Sequence, residues 1–205
     1  MKVEAIKNIN ITVLFSVPIN HLLVSQKELL DMFKSGDQQR DQHTFVEAPG
    51  LKIVAFPNLK KDIAFEANRF LINDKNEEIE KTQIVDDLHK IINSSMIEKS
   101  KIIAYGFNYD IVVYPMDSEF KISDLIGSKI SEIDGIKSAG VNILYEKHNI
   151  TYVLEIKPIN AENGEKKFLA HFNVHFNKSE LPMKEELVKD ITKQYNEFKS
   201  VIEKI

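Results

Sequence analysis

Residues 101–114 read Lys-Ile-Ile-Ala-Tyr-Gly-Phe-Asn-Tyr-Asp-Ile-Val-Val-Tyr, and Pro115 follows. Ile103, Tyr105, Phe107, Tyr109, Ile111 and Val113 alternate with Ala104, Gly106, Asn108, Asp110 and Val112. A period of two belongs to a strand with one bulky face and one small or polar face, closed where proline cannot donate a ladder hydrogen bond. Gly106 marks a bulge or the close approach of another backbone. A second alternation, Phe168-Leu169-Ala170-His171-Phe172-Asn173-Val174-His175-Phe176, puts Phe172, Val174 and Phe176 on one side and His171, Asn173 and His175 on the other.

Further strands are expected at Ile9–Val17, Leu51–Phe56, Ile63–Asn73, Val141–Glu146 and Ile150–Ile159. Pro57–Asp62 supplies one turn, Asn149 helps a second, and Asn163-Gly164 signals a hairpin. Leu22, Leu23, Leu29, Leu30 and Phe33 recur at helical spacing before Gly36. Thr82 is a candidate N-cap for a helix bearing Ile84, Val85, Leu88, Ile91 and Ile92 on one face. A long C-terminal helix runs from Pro182, with a stripe of Leu187, Ile191, Tyr195, Phe198, Ile202 and Ile205. That stripe suits packing on the chain's own sheet, and its spacing also fits a shared dimer helix. Residues 117–140 suggest a short helix or two turns through Ile122, Leu125, Ile126, Ile130 and Ile133, and residues 36–44 a polar surface loop.

These elements predict an α+β fold: a mostly antiparallel sheet with amphipathic helices packed on one face. Strand, turn, strand and helix occur over 51–96 and again, with an extra strand, over 141–205. The order suggests a duplicated unit without residue-level identity. One domain, 1–205, is expected, with possible halves 1–115 and 116–205.

The 205 residues are 43% hydrophobic and 28% charged, which is ordinary globular composition and excludes wholesale disorder. The net charge of −4 disfavours general nucleic-acid binding, and no apolar window approaches a membrane span. Zero cysteines exclude disulfides, thiolate metal sites and cysteine catalysis. Isoleucine outnumbers leucine 27 to 15, and 25 lysines accompany only Arg40 and Arg69. That usage resembles the codon bias of an AT-rich genome, so lysine abundance carries little functional weight. The N-terminus is a poor secretory signal, and the setting is read as cytoplasmic.

No nucleophile elbow, Walker loop or dinucleotide fingerprint occurs. His171 and His175 are four apart, a metal spacing on a helix, but on a strand they lie about 13 Å apart and cannot share an ion by themselves. No metal or cofactor is expected. Asp86-Asp87, Glu77-Glu78 and Glu185-Glu186 read as solvated faces. Arg69 sits among apolar neighbours beside Glu66 and Asn68 and needs water or a carboxylate, with Asp110, Glu155 and Glu66 as conceivable partners.

The leading expectation is a non-catalytic protein-binding or assembly protein. It acts through a polar sheet face (Glu66, Asn68, Asn108, Asp110, His171, His175), through the C-terminal helix, or both, on a protein partner or a second copy. The alternative is an enzyme or small-molecule binder with a pocket between sheet and helices. There Arg69 anchors an anionic ligand and His171 or Asp110 handles protons. A third reading, stacking of single-stranded nucleic acid, requires exposed Tyr105, Phe107 and Tyr109.

Overall fold

The computed structural model describes residues 1–34, 36, 42–116, 134, 139–160 and 166–205. The helix expected within 117–140 and the Asn163-Gly164 hairpin signal lie outside the described residues, as does most of the 36–44 loop. Nine strands are described: β1 (Lys2–Phe15), β2 (Thr44–Ala48), β3 (Leu51–Phe56), β4 (Lys61–Phe65), β5 (Arg69–Asp74), β6 (Ile102–Tyr114), β7 (Val141–Lys147), β8 (Ile150–Asn160) and β9 (Lys166–Phe176). They form one antiparallel sheet in the order β2-β3-β4-β5-β1-β6-β9-β8-β7. The helices α1 (Gln26–Phe33), α2 (Ile84–Ile92) and α3 (Lys184–Ile202) all lie on one face. The fold is α+β, as the alternation and the helical stripes require.

From Tyr105 onward the bulky set of β6 faces those helices; Ile103, expected with it, is 48% exposed, because the register shifts at Leu14/Phe15 and Ile102 turns inward instead. Tyr105, Phe107, Tyr109, Ile111 and Val113 are fully buried. So are Phe172 and Val174 of β9, and Ile9, Ile11 and Val13 of β1. Tyr105 stacks on Phe176 at 4.7 Å, and Phe172 meets Phe198 of α3 at 5.5 Å. With these rings inside the core, they offer no platform for bases. The α3 stripe is likewise spent on its own sheet: Leu187, Ile191, Phe198 and Ile202 are buried, and the Tyr109 hydroxyl donates to the Ile191 carbonyl at 2.7 Å. Gly106 is an approach point. A Cβ there would stand 2.6 Å from the Val174 carbonyl oxygen of β9.

Two further expectations need correction. Residues 63–73 are not one strand but a hairpin, β4 turning through Glu66-Ala67-Asn68 into β5, with Glu66 N–H donating to the Arg69 carbonyl. The inward parity changes across the turn, from Ile63 and Phe65 to Phe70 and Ile72. A continuous strand cannot do that. Asp87 is not on a solvated face either: it is 1% exposed and pairs with Lys61 of β4 at 2.5 Å.

The element order repeats. A long strand (β1 or β6) leads to a meander (β2–β5 or β7–β9) that returns beside it, and a helix (α2 or α3) follows. β1 and β6 lie side by side at the sheet centre, with an approximate twofold axis through the pair Asn10–Asn108. In this order one unit runs from β1 to α2 and the other from β6 to α3.

Candidate functional site

On the face away from the helices, five polar side chains stand in register on five adjacent strands. They are Asp62 of β4, Asn73 of β5, Asn10 of β1, Asn108 of β6 and Asn173 of β9. Period two aims all five outward, and the antiparallel register places each beside the next. Asn173 donates to Asn108 (2.5 Å), Asn108 to Asn10 (2.7 Å), Asn10 to Asn73 (2.9 Å) and Asn73 to Asp62 (2.5 Å). Thr12 adds a hydroxyl to the Asn10 carbonyl oxygen at 2.7 Å, and Lys75 pairs with Asp62 at 2.8 Å. Asn10, at the centre, is only 6% exposed, so its side chain depends on these partners. The four amides are symmetric about the twofold: Asn73 stands outside Asn10 as Asn173 stands outside Asn108.

A second row crosses beside the first: Asn8 of β1, Asp110 of β6, His171 of β9, Glu155 of β8 and Asn142 of β7. His171 Nδ1 lies 2.7 Å from Asp110 Oδ1, and Asn8 Nδ2 reaches both Asp110 (3.2 Å) and Asn73 (3.1 Å). The hydrogen bond from Asp110 raises the His171 pKa above its ordinary 6.5. The same bond holds the Asp110 carboxyl below 3.8. The pair is partly open to water, with His171 40% and Asp110 31% exposed at the side chain. His175 lies on the same face, its Nε2 2.8 Å from the Asn177 side-chain oxygen Oδ1.

Asn108, Asp110, His171 and His175 thus share one sheet face, but only Asp110 and His171 touch each other, and His175 lies about 13 Å along β9 from His171, opposite Gly106. Glu66, Asn68 and Arg69 are not placed with them. They sit at the β4–β5 turn, where Arg69 donates to Glu66 at 2.5 Å and the Asn68 carbonyl accepts from Phe15 N–H. Arg69 is opposite Leu14 of β1 whereas Asp110 is opposite Asn8, six residues along the same strand and about 20 Å away. Arg69 and the Asp110–His171 pair therefore do not converge on one pocket. The clefts beside Pro18, at α1 and at the 57–60 turn are lined by none of these residues. Among the described residues no group of three or more His, Asp or Glu is placed to hold a metal ion. No described helix is long and apolar enough to cross a membrane.

Sequence reasoning missed Asn8, Asn10, Asn73 and Asp62 and did not single out Asn173. A signal existed: asparagines stand at alternate positions in β1 and at the middle of β6 and β9. Only the register shows that they are neighbours. No protein-family model matches the chain, and no curated protein is a significant match.

Proposed function

We propose that this chain is a non-catalytic protein-binding and assembly protein, working in the cytoplasm, whose open polar sheet face meets a second copy of itself. The observation that carries the reading is the amide row across β4, β5, β1, β6 and β9. A carboxamide both donates and accepts, so a face built from carboxamides complements its own image, as an isologous contact demands. Each amide is held by its neighbour, so little side-chain freedom remains to be lost on docking. The charges on this face are mixed, with Asp62, Asp110 and Glu155 set among Lys75, Lys157 and His171. Two copies therefore do not repel. The strands β4, β5, β1, β6 and β9 carry 5, 6, 14, 13 and 11 residues, and at about 3.3 Å per residue and about 4.8 Å per strand they make an area on the order of 780 Å². That is what each partner of a standard interface contributes.

The alternative use of this face, proton transfer by the Asp110–His171 pair, is the weaker reading. The pair lies on the open sheet face away from the described clefts, the nearby Lys157 is engaged by Glu155, and Arg69 is about 20 Å away along the strands.

Size-exclusion chromatography with light scattering tests the proposal. The expected result is a dimer that dissociates on dilution, with Asn108→Arg and, independently, the surface change His175→Glu shifting it to monomer while circular dichroism stays unchanged. A strict monomer at high concentration, or a dimer indifferent to both variants, overturns it.

A further inference from the structure

The helix-covered side carries a concavity of about 400 Å³ where the end of α1, the 57–60 turn and α2 meet. Four lysines line it, Lys34, Lys61, Lys81 and Lys90, against one carboxylate, Asp87. They come from four separate elements of a chain whose net charge is −4. Two of them share that one carboxylate: Asp87 Oδ2 takes Lys61 at 2.5 Å and Oδ1 takes Lys90 at 3.2 Å. Asp87 is 1% exposed and Lys61 8%. The lining therefore presents more lysines than carboxylates, and the second buried carboxylate at the floor, Asp74 opposite Lys61, is taken up by Asn76 and Thr82. Among the described residues Lys34 and Lys81 pair with exposed partners three residues away, Asp31 and Glu78. Such pairs exchange readily for a better anion.

The second half of the molecule shows that this charge is not needed to join helix to sheet. Lys61 is opposite Asp74 of β5, and the residue in the matching place, opposite Val174 of β9, is Tyr152. Its hydroxyl donates to Gln194 of α3 at 3.1 Å, an uncharged buried link. The matching junction is thus built without an ion pair.

We infer that the Lys34–Lys61–Lys81–Lys90 cleft binds a small phosphate-bearing molecule. Lysines suit it as compact point charges around phosphoryl oxygens, and Lys61 is pre-positioned by Asp87 and by Gln83 at 3.4 Å. Phe33 and Leu59 on the cleft wall offer apolar contact to an organic body. The inference is independent of self-association through the opposite face.

Calorimetric titration with inorganic pyrophosphate, without magnesium and at near-physiological salt, tests it. The expected result is saturable binding at one site per chain, stronger than for sulfate at equal ionic strength. Lys34→Ala/Lys81→Ala, both at exposed positions, should weaken it about tenfold or more, and Lys189→Ala/Lys193→Ala on α3 should not. Absence of saturable binding, or equal loss in both double variants, overturns the inference.

Discussion

Where Lys61 of β4 reaches Asp87 of α2 in the first half of the chain, the second half sets Tyr152 of β8 against Gln194 of α3. The frame around the two junctions is the same: a strand one step outside β5 or β9, and the helix that follows the meander. The chemistry differs in kind. A buried ion pair recovers its desolvation only through good geometry, whereas a neutral hydroxyl–amide contact gives up much less water. The comparison teaches that this architecture tolerates either solution, so the ionic one reflects something other than packing. The outward face behaves oppositely. There the two halves agree at four asparagines and diverge around them, Leu71 of β5 standing where β9 has His171.

The largest expected difference lies at the helix junctions. Lys61→Met leaves Asp87 buried with one partially exposed partner, and should lower unfolding free energy by about 3–5 kcal/mol. Tyr152→Phe deletes one neutral hydrogen bond and should cost about 1 kcal/mol. Urea unfolding of both variants measures the contrast. Lys61→Met/Asp87→Leu should recover most of the loss, and failure to do so would mean that the pair is needed for packing after all.

A smaller effect separates the middle of the amide row from its end. Asn10→Ala removes a nearly buried side chain that links Asn73, Asn108 and Thr12, and should cost about 1–3 kcal/mol. Asn173→Ala removes only a terminal donor and should cost about 0.5–1 kcal/mol. Equal losses would show that the row is four separate contacts rather than one connected network.

The smallest effect is pH-dependent and confined to the second half. His171 has its pKa raised by Asp110, so its contribution to stability is present below about 6.5 and is lost as pH rises through the higher folded value. Asp110 contributes above 3.8 and loses that contribution as pH falls through its lowered folded value. The pair is therefore strongest between the two, and its partial exposure keeps it below about 1 kcal/mol. Proton NMR titration of the His171 ring should show the raised pKa, and Asp110→Asn should return it toward 6.5.

The α+β architecture was legible because Tyr105–Val113 and Phe168–Phe176 alternate bulky and smaller or polar residues, and because the α3 stripe keeps helical spacing. The β4–β5 hairpin was hidden by its brevity. Glu66-Ala67-Asn68 holds no glycine or proline, so only the change of inward parity betrays it. Strand β2 was hidden in polar sequence because it is an edge with nearly every side chain exposed. Asp110 and His171 were legible as outward-facing residues of their strands but not as a pair, since pairing is a property of register. The lysine cleft could not be read at all. Its cations come from positions 34, 61, 81 and 90, and lysine is too common in this chain for any one to stand out.

The amide row has a direction: every donated hydrogen points from β9 toward β4, ending on a carboxylate beside Lys75. Antiparallel backbones cancel one another's dipoles, so such sheets ordinarily carry almost no field. Here aligned amides give the outward surface an electrical polarity running crosswise to the strands. Turning over Asn108, Asn10 or Asn73 would set two N–H groups face to face on one side and two oxygens on the other, and the Asp62 carboxylate at the end of the row fixes which way it runs.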